Sequence, residues 1–339
     1  MPRLPAVKRF VSNTGVRVYR IPCEVLPGLS GRVYLLLGAG PPTLVDAGSG
    51  EGASTRQILA GLDAVRSEFA EPFRAQDIRR ILVTHGHIDH IGGLWDLLQV
   101  AKAEVAVHPL DQRVIAAWDE RSVVFNQGLT RFLRHAGVEP AAEAGLIRVF
   151  GFTPGRVRSV RVRNALDETE PLDGLRIIHT PGHSPGHVCI AVANILLCGD
   201  HILPRTISQQ WPESMVPYTG LGHYLDSLDK IARVEGIDVA LGGHEPPMRD
   251  LAARIDELRA IHLRRLDRVE EIIRKASDPP TIAEITRQMY SRQKGLHALL
   301  ALTDVGSRVE HIDLRGRLEL ANLEEIQRRE DAPRRYRVA

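Results

Sequence analysis

Cysteine is scarce in this chain, and the three that occur, Cys23, Cys189 and Cys198, are too far apart to form a CxxC pair. An odd, unpaired set excludes a disulfide framework. Cys189 and Cys198 sit in the apolar runs HVCIAV and ILLCGD and read as core packing. Long hydrophobic runs are also missing: none approaches the roughly 20 residues needed to span a bilayer. A strong charge of one sign is missing too. The formal net charge is +2, which gives no warrant for a polyanionic partner, because nucleic-acid binders concentrate basic residues. Met1 to Phe10 holds basic residues but no apolar leader core, so no secretory signal is expected and a cytoplasmic location follows. What is there is ordinary globular material. The 339 residues are 43% hydrophobic and 25% charged, about two domains by length and enough to bury a sizeable core.

The first half alternates strands with helices. Val33 to Leu37 and Thr43 to Val45 flank Gly38-Ala39-Gly40-Pro41-Pro42, a hairpin-like turn. Helical periodicity covers about Thr55 to Phe69, and Ile81-Leu82-Val83 is a brief strand ending near His85. A helix follows from Gly92 to about Lys102, then a strand at Val105 to Val107, then a helical stretch from about Asp111 to Gly137. A strand-rich section is expected from about Leu146 to Cys198, with strands at Val157 to Val162, Leu175 to Ile178, Val188 to Val192 and Ile195 to Cys198. A helix from about Tyr224 to Val234 and a strand at Val239 to Leu241 complete an α/β layered domain over 1–250. Residues 251–339 form a second, mainly helical domain. A long amphipathic helix over 251–276 stops at Ser277-Asp278-Pro279-Pro280, and Thr281 with Glu284 makes a capping box for the next. A third helix covers Leu296 to Leu314, and Arg317 to Leu320 reads as a strand, so the unit is winged-helix-like. Its basic residues are interleaved with acidic ones, which favours a packing or dimerising role over nucleic-acid binding.

One stretch does not read as core or surface. His85-Gly86-His87-Ile88-Asp89-His90 places three histidines and an aspartate within six residues. A lone histidine is more often a hydrogen-bonded structural group than a ligand, so the argument rests on four separated segments. The others are His183 in TPGHSPGH, Asp200 in CGD and His244 in GGH, each just after an apolar strand and beside glycine or proline. Such residues fall on loops along one edge of a sheet, rigid enough to hold a metal cage. Imidazole and carboxylate donors without thiolate suit zinc, manganese or iron, with zinc first. Seven donors exceed the needs of one tetrahedral ion, and two divalent ions sharing a carboxylate leave room for an activated water.

HGHIDH, TPGHSPGH, CGD and GGHEP, in this order, resemble the metallo-β-lactamase superfamily over about residues 10–250. The resemblance implies an αββα sandwich, with His85, His87 and His183 on one metal. Asp89, His90 and His244 would hold the second, with Asp200 bridging, and Asp89 and Asp200 would be the catalytic carboxylates. Asp46, in Leu44-Val45-Asp46-Ala47-Gly48, matches the family's acidic position behind the ligands. Metal-assisted hydrolysis is the reaction implied.

Around this cage, His187 reads as structural. His201, beside Asp200, and Trp211 and Tyr218, on the loop leaving it, are candidate substrate contacts. His108, His135, His262, His297 and His311 read as surface or capping groups. Hydrolysis of a carboxylic ester or a thioester of the acyl-CoA or acyl-glutathione type is the first functional expectation, because relatives resembling glyoxalase II use this seven-ligand pattern. A lactamase-like endoribonuclease is the alternative, given the winged-helix-like unit, and a mononuclear iron dioxygenase a second one. β-Lactamase activity ranks below these, and so does a non-catalytic binding protein, since no ligand is lost. The expected partner is a small-molecule substrate rather than nucleic acid or membrane, and a homodimer is compatible with the C-terminal unit.

Overall fold

The apolar runs of the chain go into two β-sheets whose inner faces share one core. The computed structural model describes residues 5–150, 152–169, 171–291 and 293–339. The reading of the first ten residues therefore lies partly outside the described residues. In chain order the elements are β1 Lys8–Val11, β2 Arg17–Leu26, β3 Leu29–Leu37, β4 Thr43–Val45, α1 Ser54–Glu68, β5 Arg80–Leu82, α2 Ile88–Ile91, α3 Leu94–Val100, β6 Glu104–Val107, α4 Pro109–Ala116, α5 Trp118–His135, α6 Pro140–Phe150, β7 Asn164–Ala165 and β8 Leu175–His179. They continue with β9 Val188–Val192, β10 Ile195–Gly199, α7 Leu221–Ala232, β11 Val239–Gly242, α8 Leu251–Lys275, α9 Ile282–Met289, α10 Gly295–Asp313, β12 Leu318–Leu320, α11 Leu323–Arg328 and β13 Tyr336–Val338.

Two compact units divide the chain. The first takes 1–118, 157–208 and 229–255; the second takes 119–156, 209–228 and 256–339. In the first, β1 to β7 form a seven-stranded sheet in sequence order, and β11-β10-β9-β8 form a four-stranded sheet. β1 to β4 run antiparallel, joined by tight turns, whereas β4 to β7 run parallel and need helical crossovers between them. Val18, Tyr34, Leu36, Val45 and Leu82 of the larger sheet meet Ile177, Ile190, Leu197 and Leu241 of the smaller one in a single apolar core. Val45 stands opposite Leu82. That register brings the chain just after β4 and just after β5 to one edge. In the smaller sheet Gly199 stands opposite Gly242, which does the same for the residues that follow β10 and β11.

The mixed α/β architecture agrees with the sequence reading, and several elements correct it in detail. Val157 to Val162 is not a strand. Val157 and Val160 turn inward, but the Val160 N–H donates to Ile115 O, and only Asn164–Ala165 pairs with β6. The expected strand-rich section does not begin at Leu146, because Pro140–Phe150 is helical, with a proline where a helix can start. The long strand β2 has no counterpart in the sequence reading; Arg17, Arg20 and Pro22 mask a segment that is buried on both faces. In the second unit, Thr281 and Glu284 make the capping box anticipated for α9. β12 pairs with β13 and not with a contiguous hairpin partner; α11 lies between them in the chain. Among the described residues, no helix is long and apolar enough to cross a membrane.

Glycines fix how closely the loops of the first unit approach. A Cβ on Gly93 would lie 2.2 Å from the carbonyl oxygen of Ala47, so the loop after β4 and the start of α3 can meet only with hydrogen there. Gly93→Ala is expected to cost about 1–3 kcal/mol through this overpacking. Gly145→Ala, in α6 where a Cβ meets nothing within 4 Å, is the control and should be neutral or slightly stabilising. Equal denaturation midpoints for the two variants would show the packing argument to be wrong.

Candidate metal centre

The seven candidate ligands sit on the loops and the short helix that follow strands of the first unit. His85 comes three residues after β5, His87 caps α2, and Asp89 and His90 ride on α2. His183 lies in the β8–β9 connection, Asp200 immediately after β10, and His244 two residues after β11. They converge in two adjoining sets, His85 with His87 and His183, and Asp89 with His90, Asp200 and His244, with one donor atom per residue within 4.8 Å of the others in its set. His85 Nε2 is 3.1 Å from His87 Nδ1. In the second set His244 Nε2 is 3.2 Å from Asp89 Oδ2 and 3.3 Å from Asp200 Oδ2. Asp200 Oδ2 is also 4.0 Å from His183 Nε2, so this carboxylate stands between the sets.

The rings are oriented from behind. Asp46, buried after β4, accepts from the Thr84 N–H at 2.8 Å and from the Thr84 hydroxyl, and its Oδ2 accepts from His90 Nδ1–H at 2.8 Å. The Thr84 hydroxyl oxygen in turn lies 3.1 Å from His85 Nδ1. His244 Nδ1 donates to Ser30 O at 2.9 Å. In all three rings Nδ1 is engaged from behind and Nε2 faces the cage, so one nitrogen is held and the other is left for a cation. His187 is structural, as the sequence suggested: its Nε2 accepts the Asp200 N–H at 3.1 Å, with Nδ1 against the Thr180 hydroxyl at 2.8 Å.

Electrostatics separate the two sets. Burial, reinforced by the neighbouring rings His90, His87 and His183, holds His85 well below the ordinary imidazole range. Burial and then His183 push His87 down to about 3. Both rings are therefore neutral donors. In the second set burial opposes charge, but Asp46, Asp200 and Asp89 overcome it and lift His90 well above its usual value. Burial likewise lowers His244, but Asp200 and Asp89 outweigh it and raise it to about 10. Burial raises Asp89, yet His90 and His244 bring it down to about 2. The second set thus favours positive charge at its centre. His90 Nε2 and Asp200 Oδ1 are buried 3.5 Å apart with no hydrogen-bond partner among the described residues. Orphaned donors converging beside carboxylates fit divalent cations.

His201 is fully buried, 5.7 Å from His187 between ring centres, and falls in neither set. Trp211 and Tyr218 belong to the second unit. Trp211 is buried edge-on to Phe125, whereas Tyr218 is 49% exposed with a φ of 64°. His108 caps α4 as expected. His262, expected at the surface or as a cap, is neither: it is completely buried, accepting from Arg308 at 3.1 Å. His311 is also buried. Sequence reasoning passes over Ser30, Thr84 and Asp111, whose contacts run through backbone groups or across the fold.

Comparison with known proteins points to one superfamily. A model of the metallo-beta-lactamase superfamily matches residues 26–271. The chain is 25% identical over 304 residues to the probable metallo-hydrolase YqjP of Bacillus subtilis, covering 83% of this chain and 86% of that one. It is 25% identical over 260 residues to a hydroxyacylglutathione hydrolase of Shewanella baltica, covering 73% and 76% of the two chains. A solved metallo-beta-lactamase family protein from Thermus thermophilus superposes with a TM-score of 0.73 at 26% identity, covering 95% of this chain and 98% of that one.

Asp46 offers a test that leaves the cage residues in place. Its φ of 65° suits asparagine as well as aspartate, so Asp46→Asn removes charge without backbone strain. Zinc affinity, measured by chelator competition, should fall about 10–100-fold. An unchanged affinity would show that the carboxylate behind His90 does not tune the donors.

Proposed function

Because this chain belongs to the metallo-β-lactamase superfamily, we propose that it is a binuclear hydrolase of carboxylic esters or thioesters, with zinc as its metal. The observation that carries this reading is Asp200, standing between two complete donor sets. When bound, a pair of divalent cations supplies a hydroxide at neutral pH and an electrophile for a substrate oxygen. The residues of the chain do the rest. His85, His87 and His183 offer three imidazoles to one position. Asp89, His90 and His244 offer a mixed set to the other, and Asp200 fixes the spacing between them. Asp89 and Asp200 are the carboxylates that face the reacting position.

Zinc is favoured by the donor types, imidazole nitrogen and carboxylate oxygen. The three cysteines are buried and belong to neither set. An acyl-glutathione is a thioester, and the similarity to a hydroxyacylglutathione hydrolase supports this substrate class over a lactam.

The test is a turnover panel of acyl-glutathiones, acyl-CoAs, lactones and single-stranded RNA on zinc-loaded protein, with oxygen uptake followed alongside. Thioester or ester cleavage that a chelator abolishes is the expected result. RNA cleavage alone, or oxygen consumption with a single bound iron, would overturn it. Asp200→Ala should lose more activity than the roughly 10–100-fold expected for an outer partner, with its circular dichroism unchanged. Normal turnover at normal metal content would rule out the bridging role.

A further inference from the structure

We propose that Asp111 is a positioning residue that sets the spacing of the His85–His87–His183 set, an inference that rests on reading the cage as a two-metal centre. Asp111 lies in the first turn of α4, is 1% exposed, and belongs to neither donor set. Its carboxylate reaches two separate loops. Oδ2 accepts the Gly86 N–H at 2.8 Å and the Ser184 hydroxyl at 2.8 Å, and Oδ1 accepts the Gly186 N–H at 2.8 Å. Gly86 is the residue between His85 and His87. Ser184 and Gly186 closely follow His183.

The three imidazoles come from two segments almost a hundred residues apart in sequence, so their separation has to be set by contacts across the fold. One backbone bond contributes, from the Val188 N–H to Thr84 O at 2.8 Å. Asp111 is a side chain that grips both segments at the ligands themselves. The chain leaves room for it. A Cβ on Gly186 would sit 2.8 Å from Asp111 Cγ and 2.8 Å from its backbone nitrogen, and a Cβ on Gly86 would sit 3.4 Å from Asp111 Cγ. Glycine at 186 is what lets the buried carboxylate come within hydrogen-bond reach there, whereas the approach at Gly86 is an ordinary van der Waals distance. A carboxylate is needed because both backbone partners are donors on different oxygens. An asparagine has one acceptor oxygen, so satisfying Gly86 turns its amide N–H against Gly186, and the reverse orientation loses Gly86. Asp46 acts on rings of both sets; Asp111 touches only the loops of one. The consequence is selective: loosening Asp111 should relax one metal position and spare the other.

The experiment uses the full chain, with zinc titrated against a competing chelator and cobalt(II) absorption followed in parallel. His244→Gln, in the other set, assigns each binding event to its position. Wild-type protein should take up two ions. Asp111→Asn should keep one ion at wild-type affinity and weaken the other about 10–100-fold, with an altered cobalt band for that event alone. Ser184→Ala removes one of the three bonds and should weaken the same event to a smaller degree; it remains informative if the asparagine variant fails to fold. Two ions bound by each variant with wild-type affinities overturns the proposal alone. Equal weakening of both events, as a general loss of stability would give, also overturns it. Wild-type protein that binds fewer than two ions sinks the two-metal reading and the role of Asp111 with it.

Discussion

The carboxylate of Asp46 is the point on which the cage hangs. It is buried at the end of β4, and a buried carboxylate left without donors would cost several kcal/mol, so its partners are obligatory. It has three, the Thr84 N–H, the Thr84 hydroxyl and the His90 Nδ1–H. Backbone bonds close the same corner: the Asp46 N–H donates to Leu82 O and the Ala47 N–H to His90 O, both at 2.8 Å. The end of β4, the end of β5 and helix α2 are thereby locked to one another. Since Thr84 also meets His85, a single charge orients one ring in each donor set. The left-handed backbone at Asp46 turns the chain sharply enough for side chain and main chain to serve that corner together.

The two positions so built are chemically unequal. One is lined by three imidazoles, two of them kept neutral by burial and by neighbouring rings. The other combines two carboxylates with two imidazoles whose affinity for positive charge those carboxylates raise. Nitrogen-rich and mixed nitrogen–oxygen surroundings differ in the cation they prefer and in how strongly it is held. A substrate oxygen and an attacking water would meet different electrostatic environments on the two sides of Asp200, and that asymmetry suits a reaction in which one atom gains negative charge while another gives up a proton.

The donors are legible in the sequence because ligand chemistry draws on few residue types, and their placement after apolar strands beside glycine is a local signal. Asp46 is legible only through the family resemblance, which places an acidic residue behind the ligands. The supports are not. Ser30 acts through a carbonyl, Thr84 through a hydroxyl and an amide, and Asp111 through contacts to loops far along the chain; none leaves a mark in local sequence. Secondary structure is misread where pairing is decided by distant strands. Val157 to Val162 alternates as a strand would, but only the residues after it find a neighbour in β6. Conversely β2 carries arginines and a proline yet is buried on both faces, Tyr34 and Val33 of β3 standing opposite Arg20 and Ile21. His262 has the look of a surface group on a charged helix, and Arg308, completely buried, explains why it is inside.

Glycine explains how four loops fit into one small volume. A Cβ on Gly243 would lie 2.5 Å from Asp200 Oδ1 and 2.6 Å from His90 Cε1, and one on Gly199 would lie 2.6 Å from His187 Nε2. These positions are occupied by the ligands and their supports, so hydrogen is the largest group the loops can carry there. The Gly243 N–H also donates to Gly199 O at 2.7 Å, tying the two strand ends that deliver His244 and Asp200. The glycines beside the histidines and aspartates therefore do more than permit turns. They are the space into which imidazole and carboxylate converge, and the same absence of Cβ at Gly186 admits Asp111. Cage, supports and loop backbone compete for one volume, and this chain resolves the competition by giving up side chains at the strand ends.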